Sequence, residues 1–154
     1  MGGIGYDQDD IAELKVVNED TMLNNTMQET VKIAYVEDEP SIAQLLVSGL
    51  GLFGIEVKPV FMSAEDLLNK ADTPELAQVD LFFFDIRLPK MTGMELAKKL
   101  REHGEKRPFV LVSAWPAPSA ESLEKIGAKF LPKPFDFPDV IQTIQKLTSK
   151  QTKE

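Results

Sequence analysis

From Val31 onward, short apolar runs alternate with amphipathic segments, and this alternation limits the available folds more than any other feature of the chain. Val31–Val36, Glu56–Phe61, Leu81–Phe84, Phe109–Val112 and Lys129–Leu131 have strand length, and most are rich in β-branched or aromatic residues. Leu81–Phe84 has no polar interruption, which predicts a strand covered on both faces. Between the runs lie helix signals. Ser41, after Pro40, reads as an N-cap, and Ile42, Leu45, Leu46 and Leu50 follow at helical spacing until Gly51 and Gly54. Ser63 with Asp66 opens a second helix, and Thr92–Glu102 a third, with Met94, Leu96, Ala97 and Leu100 apolar. Glu121–Ile126 is a short helix, and Asp139–Leu147 turns Val140, Ile141, Ile144 and Leu147 inward. Strands joined through helices need crossover connections, so the prediction is an α/β fold: a doubly wound, five-stranded parallel sheet with helices on both faces. Such crossovers are right-handed.

In a doubly wound sheet the ligand sits outside the carboxyl ends of the strands, where strand order reverses. Here the first run ends in Glu37, Asp38 and Glu39, the third in Asp85 and the fourth in Ser113, while Lys133 follows the fifth. If the first and third strands are neighbours, Glu37, Asp38 and Asp85 converge, and carboxylates so packed repel one another unless a cation or protons compensate them. Oxygen-only ligands point to Mg²⁺ rather than zinc or copper. A carboxylate, a lysine, a hydroxyl and a divalent cation together suit phosphoryl transfer, with Asp85 as nucleophile. Any one of these residues alone reads as a solvated loop group. Their shared position after apolar strands is what carries the chemistry.

Charge narrows the remaining classes. The formal charge is −8, and residues 1–30 hold seven acids against Lys15 alone, a net of −6. An acidic chain without a basic stripe is a poor ligand for nucleic acid, so no direct nucleic-acid contact is expected. The absence of cysteine excludes disulfides and thiolate chemistry. No apolar run reaches membrane-spanning length and the N-terminus has no secretory pattern, so the expectation is a cytoplasmic protein without membrane contact. We divide the chain into a flexible acidic extension (1–30), one folded domain (31–148) and a polar tail (149–154). Met22 and Met27 leave open a shorter natural start.

Three segments carry a family resemblance. Leu81–Gly93, reading LFFFDIRLPKMTG, resembles the phosphoacceptor segment of the response-regulator receiver domains of bacterial two-component systems. Glu37-Asp38-Glu39 resembles the acidic pair closing their first strand, and Phe130–Phe135, reading FLPKPF, the segment bearing their lysine. The resemblance runs from about Val31 to Leu147. It implies a flavodoxin-like receiver fold with strand order 2-1-3-4-5, phosphorylation of Asp85, and Mg²⁺ held by Asp38, Asp85, the Arg87 carbonyl and, usually through water, Glu37. It places Ser113 and Lys133 on the phosphoryl group, makes Lys133–Pro134 a cis bond, and sets Ser113 and Phe130 as the switch pair. The residues themselves leave Phe130 open as a switch or a core ring, and Gly93 as a loop-to-helix turn residue.

The same resemblance implies a histidine kinase or histidine phosphotransfer protein as phosphodonor. A downstream protein would dock on the face of the fourth helix, fifth strand and fifth helix (Glu121–Ile126, Lys129–Leu131 and Asp139–Leu147). The chain ends soon after that helix, so a stand-alone receiver is expected, catalysing only phosphotransfer to its own Asp85 and the later hydrolysis. Departures from the pattern are Arg87 and Trp115, bulky residues expected to shield the phosphoryl group from water, and the stiff Trp115–Pro118 loop. Residues Gln8–Leu14 read first as acidic tail, but also resemble the peptide by which flagellar switch proteins capture a receiver. Competing readings are a phosphate-independent interaction module, a small phosphohydrolase, which would need an acid where Arg87 stands, and a flavin protein, which would need a phosphate-cradling loop after the first strand.

Overall fold

The computed structural model describes residues 30–114 and 116–152. The expectations for Gln8–Leu14, for the chain start and for Trp115 fall outside those residues. Val31–Ser149 form one compact unit. Its elements in chain order are β1 (Lys32–Val36), α1 (Pro40–Gly51), β2 (Glu56–Phe61), α2 (Ala64–Asn69), α3 (Pro74–Ala77), β3 (Leu81–Asp85), α4 (Gly93–Glu102), β4 (Phe109–Ser113), α5 (Ala120–Ile126), β5 (Ala128–Pro132) and α6 (Phe137–Thr152). All ladders are parallel and the strand order is β2-β1-β3-β4-β5. The order and the alternation are those expected. The one-turn helix α3 is additional, and α6 runs on through Thr152.

Alternate strand residues point to opposite faces, and each face has its own core. Ile33, Tyr35, Leu81, Phe83, Val110 and Val112 pack with Leu46 and Leu50 of α1 and with Val140 and Ile144 of α6. Ala34, Val36, Phe82, Phe84, Phe109 and Leu111 pack with Leu67, Leu76, Leu96, Leu100 and Ile126 of α2 to α5. Every residue of β3 is buried, as its unbroken apolar run requires. Burying its four apolar side chains contributes roughly 6–12 kcal/mol before entropy, ample to hold one ill-solvated carboxylate at the strand's end.

Two helix readings need correction. Ser41 is not the cap of α1: Glu39 stands at that position with extended backbone and no side-chain cap, and Pro40 is the first helical residue. Proline has its φ already set for that place and no N–H to leave unsatisfied, so the helix can start without Ser41. Leu45 is 51% exposed while Ala43 takes the inward position, because the narrow buried face of α1 is Ala43, Leu46 and Leu50. The starts of α2 and α4 follow the sequence, whereas α5 begins one residue early, at Ala120, and α6 two residues early, at Phe137. Ser63 accepts from Asp66 N–H, and Thr92 and Glu95 form a reciprocal capping box that opens α4.

Two arginines fasten the opposite edge of the sheet. Arg101 donates to the carbonyls of Ile126 and Gly127 at the end of α5 and lies 3.6 Å over the Phe109 ring. Arg107 donates to the carbonyls of Leu76 in α3 and of Val79 just after it, and also binds Glu105. Helix ends left without partners are thereby satisfied by side chains.

Candidate functional site

Glu37 follows β1 directly, and its N–H still donates to Phe61 O, extending the ladder by one residue. That pairing holds the side chain over the sheet's carboxyl edge, where it is 1% exposed. β3 brings Asp85 to the same edge, 4% exposed, with the following N–H of Ile86 bound to Val112 O of β4. Asp38, half-buried, completes a cluster in which Glu37, Asp38 and Asp85 each offer one oxygen within 4.8 Å of the others. Ser113 closes β4 and is buried; its carbonyl accepts from Lys133 N–H. Lys133 Nζ reaches back to Glu37 Oε1 at 2.8 Å and to Asp85 Oδ2 at 3.2 Å. The Lys133–Pro134 bond is cis, as is Lys58–Pro59.

The surroundings set the charges. Burial, then the neighbouring Glu37 charge, pushes the Asp85 carboxyl up to about 6, against the pull of Lys133 and of the Arg87 N–H. Burial works against the Lys133 charge as well, but its hydrogen bond to Glu37 and the fields of both carboxylates outweigh this and hold its pKa above the ordinary lysine value. Burial and the Glu37 charge raise the Tyr35 phenol far above its ordinary range, so it remains a neutral donor, 3.1 Å from Glu37 Oε1.

Three carboxylates against one ammonium leave two negative charges, and every ligand offered is oxygen. This donor set fits a divalent hard cation such as Mg²⁺ and offers nothing to a soft one. The cleft above the cluster holds about 320 Å³ and is lined by Glu37, Asp38, Asp85, Ser113, Ala114 and Lys133 among others. A larger groove of about 500 Å³ between α4 and α5 contains none of these residues.

The structure therefore brings Glu37, Asp38, Asp85, Ser113 and Lys133 together. Arg87 is exposed at the rim, with its N–H 3.3 Å from Asp85 Oδ1. Phe130 is half-buried on β5. Gly93 is needed for a different reason from the one expected. Its φ is unexceptional, but a Cβ there would collide with the Asp85 backbone carbonyl, so glycine lets α4 start directly beneath the acid. Sequence reading missed Tyr35. The available signal was its i, i+2 relation to Glu37, which puts both side chains on one side of the strand.

Fold and site together define a doubly wound α/β protein with a cation-fitting acidic cluster and an opposing lysine at the switch point of its sheet. Residues 33–145 match the family model described as the response regulator receiver domain, and the chain belongs to that family. It is 36% identical over 129 residues to the response regulator protein TmoT of Ectopseudomonas mendocina, covering 80% of this chain and 56% of that protein. It is 30% identical over 118 residues to the transcriptional regulatory protein PcoR of Escherichia coli, covering 75% and 50%. The chain thus spans about half the length of these curated relatives. Among solved structures it resembles a CheY-like receiver domain from Methanospirillum hungatei, with a TM-score of 0.68, 26% identity, and coverage of 81% of this chain and 98% of that one. The Thermotoga maritima response regulator TrrA, solved in complex with Mg²⁺ and BeF, gives a TM-score of 0.67 at 27% identity, covering 77% and 99%. Receiver domains are signalling modules of two-component systems, and no helix among the described residues is long and apolar enough to cross a membrane.

Proposed function

We propose that this receiver accepts a phosphoryl group on Asp85 from a histidine kinase or histidine phosphotransfer protein and signals by changing which protein it binds. The observation that carries this reading is the convergence of Glu37, Asp38 and Asp85 within 4.8 Å with Lys133 bridging two of them. An Asp85 carboxylate oxygen attacks phosphorus as the P–N bond to the donor imidazole breaks. The bonding pair leaves on the imidazole nitrogen. Asp38 and Asp85, with Glu37 and the Arg87 carbonyl, would hold Mg²⁺, which when bound supplies charge neutralisation for the phosphoryl oxygens. Lys133, already between Glu37 and Asp85, supplies the remaining positive charge, and the Ser113 hydroxyl a hydrogen bond. Drawing Ser113 to the phosphoryl group, with Phe130 turning inward, biases an equilibrium between two conformations. The readout face is α5, β5 and α6, and the setting is the cytoplasm, where such donors act.

The decisive experiment is incubation with Mg²⁺ and acetyl phosphate followed by intact mass measurement. The native protein gains one phosphoryl group and Asp85→Asn gains none; equal labelling of both, or of neither, rejects the reading. A second reading, output through a linked effector domain, is favoured by one observation: the curated relatives are about twice as long as this chain. The mass of the native gene product separates the two.

A further inference from the structure

Lys133 Nζ lies nearer to Glu37 Oε1, at 2.8 Å, than to Asp85 Oδ2, at 3.2 Å, so the lysine leans towards the acid that does not react. A phosphoryl group joined to Asp85 extends outward from that residue into the cleft of about 320 Å³, whereas Glu37 is the most buried acid lining it. To meet the phosphoryl oxygens, Lys133 has to loosen its contact with Glu37. That movement would leave a buried, charged oxygen short of a donor, which is costly unless another donor stays behind. The Tyr35 hydroxyl is such a donor, 3.1 Å from the same Oε1. We propose that Tyr35 is a positioning residue for phosphoryl transfer: by sharing Oε1 of Glu37 with Lys133, its hydroxyl weakens that acid's hold on the lysine and frees the ammonium for the phosphoryl group on Asp85.

The division of labour follows from what each group can do. Oε1 has two lone pairs, and Tyr35 and Lys133 take one each. Tyr35 brings a donor without a charge, because burial and the Glu37 carboxylate keep the phenol from ionising. Its ring cannot follow the lysine: it is fully buried and held edge-on to Phe83 at a centroid distance of 6.3 Å. Oε2 is held separately by the Glu39 N–H at 3.1 Å, which leaves a direction on that oxygen for a metal-bound water. Glu37 is thus fixed from both sides. Lys133 is anchored through its own N–H on Ser113 O, so the change is confined to its long side chain.

This inference rests on the phosphorylation reading, and the test separates the two. The full chain is labelled by acetyl phosphate at saturating Mg²⁺, acetate leaving as an Asp85 oxygen bonds to phosphorus. Intact mass times the labelling in the native protein, Tyr35→Phe, Lys133→Met and the double variant. A hydrogen bond to a charged group contributes about tenfold or more to a rate, so Tyr35→Phe should slow labelling by about tenfold. With Lys133→Met no lysine needs releasing, and adding Tyr35→Phe should change the rate by less than about twofold. Slowing of similar size in both backgrounds marks a packing role for the ring and overturns the proposal. A Tyr35→Phe rate within about twofold of the native one also overturns it. Calorimetric Mg²⁺ affinity gives an independent decision, and the only one needed if Lys133→Met takes no label. Tyr35→Phe should keep the native affinity within about twofold, and a larger loss refutes the assignment. Native protein that takes no label overturns this inference together with the reading beneath it.

Discussion

Replacing Asp85 by Asn removes a charge that the folded chain holds at a cost, and the size of that cost follows from the site. Burial and Glu37 move the carboxyl from 3.8 to about 6. Each pKa unit corresponds to about 1.4 kcal/mol, so keeping Asp85 ionised costs about 3 kcal/mol of stability above pH 7. The folded value is the raised one, so the native state binds this proton more tightly than the unfolded chain does. The associated stability is complete below the unfolded pKa and is lost as pH rises towards 6. Asn keeps the shape without the charge. In EDTA at pH 8, Asp85→Asn should therefore be more stable than the native protein by about 3 kcal/mol, falling to roughly half that at pH 5. Urea denaturation followed by circular dichroism at the two pH values reads both numbers. Saturating Mg²⁺ should narrow or reverse the gap, because the ion stabilises only the chain that keeps its ligand. A variant no more stable than the native protein at pH 8, or a gain independent of pH, refutes the argument.

Other perturbations probe separate parts of the site. Lys133→Met strands Glu37 and Asp85 without their shared cation and should lower stability by roughly 2–4 kcal/mol at pH 8, read as a drop in urea midpoint. Gly93→Ala drives a methyl into the Asp85 carbonyl, and a loss of about 1–3 kcal/mol is expected in the same assay. Lys90 has φ at 64°, so Lys90→Gly should gain about 0.5 kcal/mol after glycine's own entropy cost, visible as a small rise in Tm. If Arg87 and Trp115 shield the acyl phosphate, Arg87→Asn and Trp115→Ala should each shorten the phosphoryl half-life; unchanged decay in both removes that idea.

The site was legible in large part because each of its groups directly follows an apolar run. Glu37, Asp38, Asp85, Ser113 and Lys133 were all locatable once the runs were taken as parallel strands, and the structure brings all five to one cleft. The resemblance assigned different metal contacts to the two first-strand acids, but their difference in burial was not legible: Glu37 continues the β1 ladder and is paired with Lys133. The same holds for α1, where Leu45 and Ala43 compete for one inward position and the packing of α1 against β2 and α6 decides for alanine.

By itself the sequence determined the alternation of elements, the parallel sheet and the strand ends at which chemistry gathers. Those properties follow from local periodicity: two residues per strand repeat, a helical stripe, a capping residue. Only the tertiary structure decided that Tyr35 and Lys133 share one oxygen of Glu37, that Gly93 is required by a backbone carbonyl, and that Arg101 and Arg107 close helix ends at the opposite edge of the sheet. Each of those contacts depends on distances of a few ångströms set by side-chain orientation and packing, which local periodicity alone does not encode.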